Sequence, residues 1–146
     1  MFKRILIATD GSRLSRKAIA HGVALAKSFG ASVVGFHNRI PFSTIHYGEM
    51  IFPPATEDQY ERLPLKQGER ALGEIEVHTT RAGVGYKAVH SHMPSISDEI
   101  IRVAKKQKCG LIVMASHGRK GIERVMIGSE ANQVLTHSTI PVLITR

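Results

Sequence analysis

The chain has one cysteine, Cys109, in 146 residues. That excludes an internal disulfide framework and the small secreted folds that depend on one. Cys109 follows a helix end and reads as an inert thiol rather than a reactive one. No apolar run reaches the ~18 residues that a membrane-spanning helix needs. The opening stretch "MFKRILIATDGS" carries basic residues, but its apolar run is short and ends on Asp10, which argues against a secretory signal peptide. These absences lead to the expectation of a cytosolic protein. Acidic residues are also scarce: 12 Asp+Glu stand against 20 Lys+Arg, for a net charge of +8. Such a balance attracts phosphates, nucleic acid or anionic surfaces. The basic residues are scattered, however, and no stripe interleaves them with aromatics. A dedicated nucleic-acid face is therefore not expected from the sequence.

A hydrophobic content of 42% is ordinary for a globular chain and too high for disorder. The length suits one domain, expected over 1–146, and buries roughly 68–70% of the unfolded surface. "KRILIATD" (3–10) is a continuous apolar run, as in a buried parallel strand. A helix follows, with Ser12 as N-cap and Gly30 as its stop. "ASVVGFHN" (31–38) is the second strand, which completes a βαβ unit. Residues 39–58 show no period and hold three prolines, which reads as a long surface loop. A helix is expected within 57–82, capped by Thr56, with Pro64 kinking it or marking its start. "GYKAVHSH" (85–92) alternates as a third strand. "SISDEIIRVAKKQKCG" is a helix that Ser97 caps and Gly110 stops, with Asp98 and Glu99 at its positive end. "LIVMA" (111–115) is the strongest strand. A helix over 129–137 and a last strand in "IPVLITR" complete the chain. Five strands alternating with helices give an α/β fold: a parallel sheet covered on both faces. Ligands bind such sheets at the carboxyl ends of the strands.

On that edge lies "MASHGRKGIERVMIGSEA" (114–131). No Gly-Lys-Ser/Thr phosphate loop occurs, nor a G-x-G-x-x-G run; "GVG" at 83–85 precedes a strand. Two readings fit. Gly118 and Gly128 serve ordinary turns, or they admit a phosphate to the N-terminus of the helix that Ser129 opens. Arg119, Lys120 and Arg124 add positive charge nearby. Two further pairs of residues carry no site. Ser116 beside His117 suggests a nucleophile and its base, but adjacent loop residues usually diverge and no orienting acid is evident. His90 and His92 share a strand face, but lack a third ligand, and read as structural or solvated. Asp10 and Ser12 serve as caps, a role compatible with ligand contact.

The whole chain resembles the universal stress protein family. The ATP-binding branch of that family carries G-x-x-G, nine residues, then G-[S/T] after its fourth strand. Here the run is "ASHG", "RKGIERVMI", "GS", with Ala115 in place of the first glycine. "ILIATDGS" resembles the family's first strand and "IPVLITR" its last. The resemblance implies a Rossmann-like sheet of order 3-2-1-4-5 and an adenine nucleotide ligand, ATP, with Mg²⁺ possible. It implies that Ala8, Thr9, Asp10 and Ser12 line the adenine and ribose and that Asn38 offers backbone bonds to the base. Met114 would pack on the base, while Ala115, Gly118 and Arg119 follow the ribose and phosphates. Gly128, Ser129 and the Glu130 backbone would hold the phosphates. The Glu130 carboxylate is expected to point away or to help hold the metal. A homodimer through residues 140–145 is implied as well. The alternatives are a nucleotide-free dimeric interaction protein, a basic nucleic-acid-binding module, or an ATPase or phosphotransferase, with any ATP hydrolysis expected to be slow. No catalytic residue is assigned, and a membrane partner is not expected.

Overall fold

The computed structural model describes residues 1–39, 57–117 and 127–146. Five strands alternate with four helices: β1 (Arg4–Ala8), α1 (Arg13–Phe29), β2 (Ser32–Asn38), α2 (Glu57–Ala82), β3 (Tyr86–Ser91), α3 (Ile96–Lys106), β4 (Leu111–Ala115), α4 (Ser129–His137) and β5 (Val142–Thr145). The strands form one parallel sheet of order β3-β2-β1-β4-β5. The chain steps outward from β1 to β3, then crosses over to β4. β1 and β4 are therefore the neighbours from which the connections depart in opposite directions, the switch point at whose carboxyl ends sheets of this kind hold ligands in a crevice.

Side-chain parity sorts the core into two layers, because successive strand residues face opposite sides. Leu6, Ala8, Val34, Phe36, Ile112 and Met114 pack with Ile100, Ile101 and Val103 of α3 and with Ala131 and Val134 of α4. Ile5, Ile7, Val33, Leu111 and Val113 pack on the opposite face with Ala18, Ile19 and Val23 of α1 and with Leu72 and Ile75 of α2. A one-residue slip in any central strand would exchange these two sets, so burial fixes the register.

The caps depart from expectation at α3. Ser12 does cap α1, its side chain accepting from the Ser15 N–H, and Gly30 ends that helix at φ 62°. For α3, however, the cap is Ser95 rather than Ser97: the Ser95 side chain accepts from the Asp98 N–H. Ser97 lies within the first turn, buried, and its hydroxyl donates to Gln133 Oε1 at 2.7 Å, which ties α3 to α4. Nor does Gly110 stop this helix. α3 ends at Lys106 with Gln107 as cap, and Lys108 takes the left-handed turn at φ 54°. The Gly110 N–H already donates to the Arg4 carbonyl of β1 at 2.9 Å. α2 starts at Glu57, so Pro64 does not mark its beginning. Thr56 and residues 40–56 of the expected loop lie outside the described residues.

Candidate functional site

At the carboxyl end of β1 the chain turns through Thr9, Asp10 and Gly11 into α1. The Thr9 N–H donates to the Phe36 carbonyl, which extends the pairing with β2 by one step. The Thr9 hydroxyl donates to Ser15 Oγ at 3.1 Å and accepts from the Gly11 N–H. Asp10 Oδ1 accepts from the Ser12 N–H at 2.9 Å, a side-chain turn of the kind aspartate favours. Gly11 completes the turn at φ 76°, where a side chain would be strained. This tight connection leaves Ala8 and Thr9 buried at the edge of the sheet.

β4 lies beside β1, with Ile7 opposite Val113. Met114 and Ala115 therefore stand beside Ala8 and Thr9. Met114 is buried in the layer formed with α3 and α4, together with Ala8 and Ala131. The Ser116 N–H donates to the Thr145 carbonyl of β5, and the Ser116 carbonyl accepts from the Gly128 N–H at 2.8 Å. That bond seats the start of α4 directly over the end of β4. A Cβ on Gly128 would lie 3.0 Å from the Ser116 oxygen, so glycine permits this approach.

Gly128 is the N-cap of α4 and offers no side chain to the helix end. The Asn132 N–H takes the Gly128 carbonyl, and the Gly128 N–H is spent on Ser116. The N–H groups of Ser129, Glu130 and Ala131 then have no acceptor within the helix and none among the described residues. They gather at the positive end of the helix, beside the β1–β4 crevice. Glu130 sits in this turn, and its Oε2 is buried without a hydrogen-bond partner. A buried carboxylate oxygen in that state is costly unless something pairs with it.

Of the expected site residues, Ala8, Thr9, Asp10, Met114, Ala115, Gly128, Ser129 and Glu130 gather on the β1–β4–α4 edge. Ser12 belongs to the cap of α1. Asn38 stands farther out, on β2, and its side chain is committed elsewhere: Nδ2 donates to the Met93 carbonyl at 2.9 Å and Oδ1 accepts from the Met93 N–H at 3.0 Å. Asn38 thereby pins the β3–α3 connection, a role that the sequence did not signal. Gly118, Arg119, Lys120 and Arg124 lie outside the described residues.

Ser116 and His117 do not diverge as expected. Ser116 Oγ lies 3.0 Å from His117 Nδ1. The pair still lacks the rest of a catalytic constellation, since no carboxylate orients His117 among the described residues. His90 stacks on His37 of β2, with ring centroids 5.1 Å apart and an angle of 11°. No group of three His, Cys, Asp or Glu could hold a metal among the described residues. Burial pushes the Cys109 thiol up to about 11, against a smaller opposing effect of Arg4, which fits an inert cysteine.

The chain is 31% identical over 151 residues to Universal stress protein MJ0531 of Methanocaldococcus jannaschii, covering 100% of this chain and 83% of the relative. It is 30% identical over 149 residues to Universal stress protein YxiE of Bacillus subtilis, covering 100% of both. Among solved structures, it is similar to a universal stress protein from Archaeoglobus fulgidus in complex with dAMP, with a TM-score of 0.72, 15% identity, and coverage of 98% and 97%. It is also similar to one from Arabidopsis thaliana with AMP bound, with a TM-score of 0.68, 15% identity, and coverage of 97% and 90%. A universal stress protein in complex with cAMP gives a TM-score of 0.71 at 20% identity, with coverage of 99% and 97%. The model of the universal stress protein family matches residues 1–146, and the chain belongs to that family.

Proposed function

We propose that this universal stress protein binds an adenine nucleotide, ATP with Mg²⁺, in the β1–β4 crevice and acts as a cytosolic, homodimeric sensor or regulator in a stress response. The observation that carries the reading is the first turn of α4. Three N–H groups without an acceptor among the described residues meet there at a helix N-terminus, over a sheet edge lined by small residues. Family members whose solved structures hold AMP, dAMP or cAMP support the ligand class.

In this reading Ala8, Thr9 and Asp10 lie along the base and ribose, and Met114 closes the floor. Ala115 keeps the space that the family's first glycine provides, since a methyl group obstructs a main-chain contact little. Ser129 and the first-turn amides hold phosphate oxygens, joined by Gly118 and Arg119. Asn38 offers its backbone to the edge of the base, while its side chain pins the β3–α3 connection. The fit to a bare polyphosphate fails at one place, the Glu130 carboxylate, and a divalent cation resolves it. Mg²⁺ would satisfy the buried oxygen and neutralise phosphate charge. The chain's own residues bind and orient; none of the described ones is placed to activate water, and the proposed turnover is slow at most. No helix among the described residues is long and apolar enough to cross a membrane.

Calorimetric titration of nucleotide-stripped protein with ATP and Mg²⁺ tests the reading. Micromolar binding is expected, about 8 kcal/mol. Gly118→Val and Ser129→Ala should each weaken it. Glu130→Gln should weaken Mg²⁺-ATP while strengthening metal-free nucleotide. Absence of heat with the folded wild type would place the chain among nucleotide-free members.

A further inference from the structure

The basic residues that look scattered in the sequence converge at the other end of the sheet. Gln107, the cap of α3, is their meeting point. Arg4 of β1 donates to its carbonyl at 2.9 Å, and Lys87 of β3 donates to its side-chain Oε1 at 3.0 Å. Lys105 and Lys106 close the last turn of α3, and Lys108 follows Gln107 directly. Lys3 adjoins Arg4. All six cations are exposed. None forms an ion pair with a carboxylate among the described residues. Lys106 acts at longer range on Glu99, a carboxylate already bound by Arg102.

The chain thus gathers like charge around a neutral amide. Such gathering strains the fold through self-repulsion, which an anionic partner relieves. Lys108 strengthens the point: it occupies a left-handed position, φ 54°, that glycine or asparagine ordinarily fills after a helix.

An aromatic pair adjoins this cluster. Phe2, next to Lys3, meets Phe29 edge-on, with centroids 5.3 Å apart. Phe29 is 38% exposed. A Cβ on Gly110 would lie 3.1 Å from the Phe2 ring, so the pair abuts the same turn that carries Lys108. Cations beside a partly open aromatic ring are the combination that follows a phosphate chain and stacks an unpaired base. We propose that this basic end, opposite the nucleotide crevice, docks the backbone of a single-stranded nucleic acid. Six cations and one open ring favour a flexible phosphodiester over a lipid surface, which would need a broader apolar patch to enter.

The test is fluorescence anisotropy with labelled 20-nucleotide oligo(U) RNA and oligo(dT) DNA over a salt series. Binding should weaken linearly in log salt, with a slope of about −0.7 per phosphate neutralised. The triple variant K105E/K106E/K108E should flatten that slope by about 2. K87E, on a different element, should flatten it by about 0.7. F29A should weaken binding without changing the slope. Saturating Mg²⁺-ATP should leave oligonucleotide binding unaltered, because the two sites lie at opposite ends of the strands. Failure to bind at 50 mM salt by folded protein overturns the proposal. So does equal binding by the triple variant, competition by ATP, equal affinity for duplex, or binding only to phosphatidylserine vesicles in a flotation assay.

Discussion

At Glu99 a buried carboxylate accepts from Ser91 Oγ of β3 at 2.6 Å and from both Nε and Nη2 of Arg102, each at 2.6 Å. Arg102, and then Ser91, hold its carboxyl below the ordinary 4.5, while burial works the other way. A lowered folded value means that the stabilisation is present above the unfolded pKa and is lost as pH falls through the folded one. Thermal melts between pH 7 and 3 should therefore show a decline below about 4.5. Glu99→Gln should flatten that acid limb and cost about 1–3 kcal/mol at pH 7. The solvent-open Arg102 places the cost toward the lower end. The sequence showed Glu99 only as an acid suited to a helix start. Its partner Ser91 lies on another element, and periodicity carries no information about that distance. Ser95 and Ser97 teach the same lesson: both can cap, and only the packing of Ser97 against Gln133 decides between them.

Elements were more legible than residues. The β4 run "LIVMA" and the helix over 129–137 agree with the structure end for end, because burial on both faces and the Gly128-Ser129 junction leave little choice. The other strands are shorter than expected at one or both ends. Strand order was not legible from periodicity; it came through the family resemblance. β5 stands at the edge of the sheet. Pro141 and Thr145 turn their carbonyls toward β4. By the alternation of a parallel ladder, Val142 and Ile144 turn their main-chain groups outward. An edge of this kind invites a second copy. In the proposed dimer these groups pair with the partner's β5. Val142→Lys puts a charge on that edge. It should shift the sedimentation coefficient from dimer to monomer with little change in circular dichroism. A monomeric wild type would refute the pairing.

Over the whole molecule, the two ends of the strands carry opposite equipment. The carboxyl ends hold small residues, a glycine-opened helix and the unpartnered Glu130 oxygen. The amino ends hold the cations around Gln107. The candidate crevice was partly legible, since Gly128, Ser129 and the β4 run are contiguous in sequence. The basic end was not, because Arg4, Lys87 and Lys105 meet only when three elements fold together. This arrangement separates two ways in which a basic protein can hold ATP: by helix-end amides, or by loose attraction to lysines. Amide chemical shifts recorded during a Mg²⁺-ATP titration distinguish them. The account predicts saturating shifts at Ser129, Glu130 and Ala131, with Lys87, Lys105 and Gln107 unmoved. Shifts confined to Lys87, Lys105 and Gln107 would contradict it.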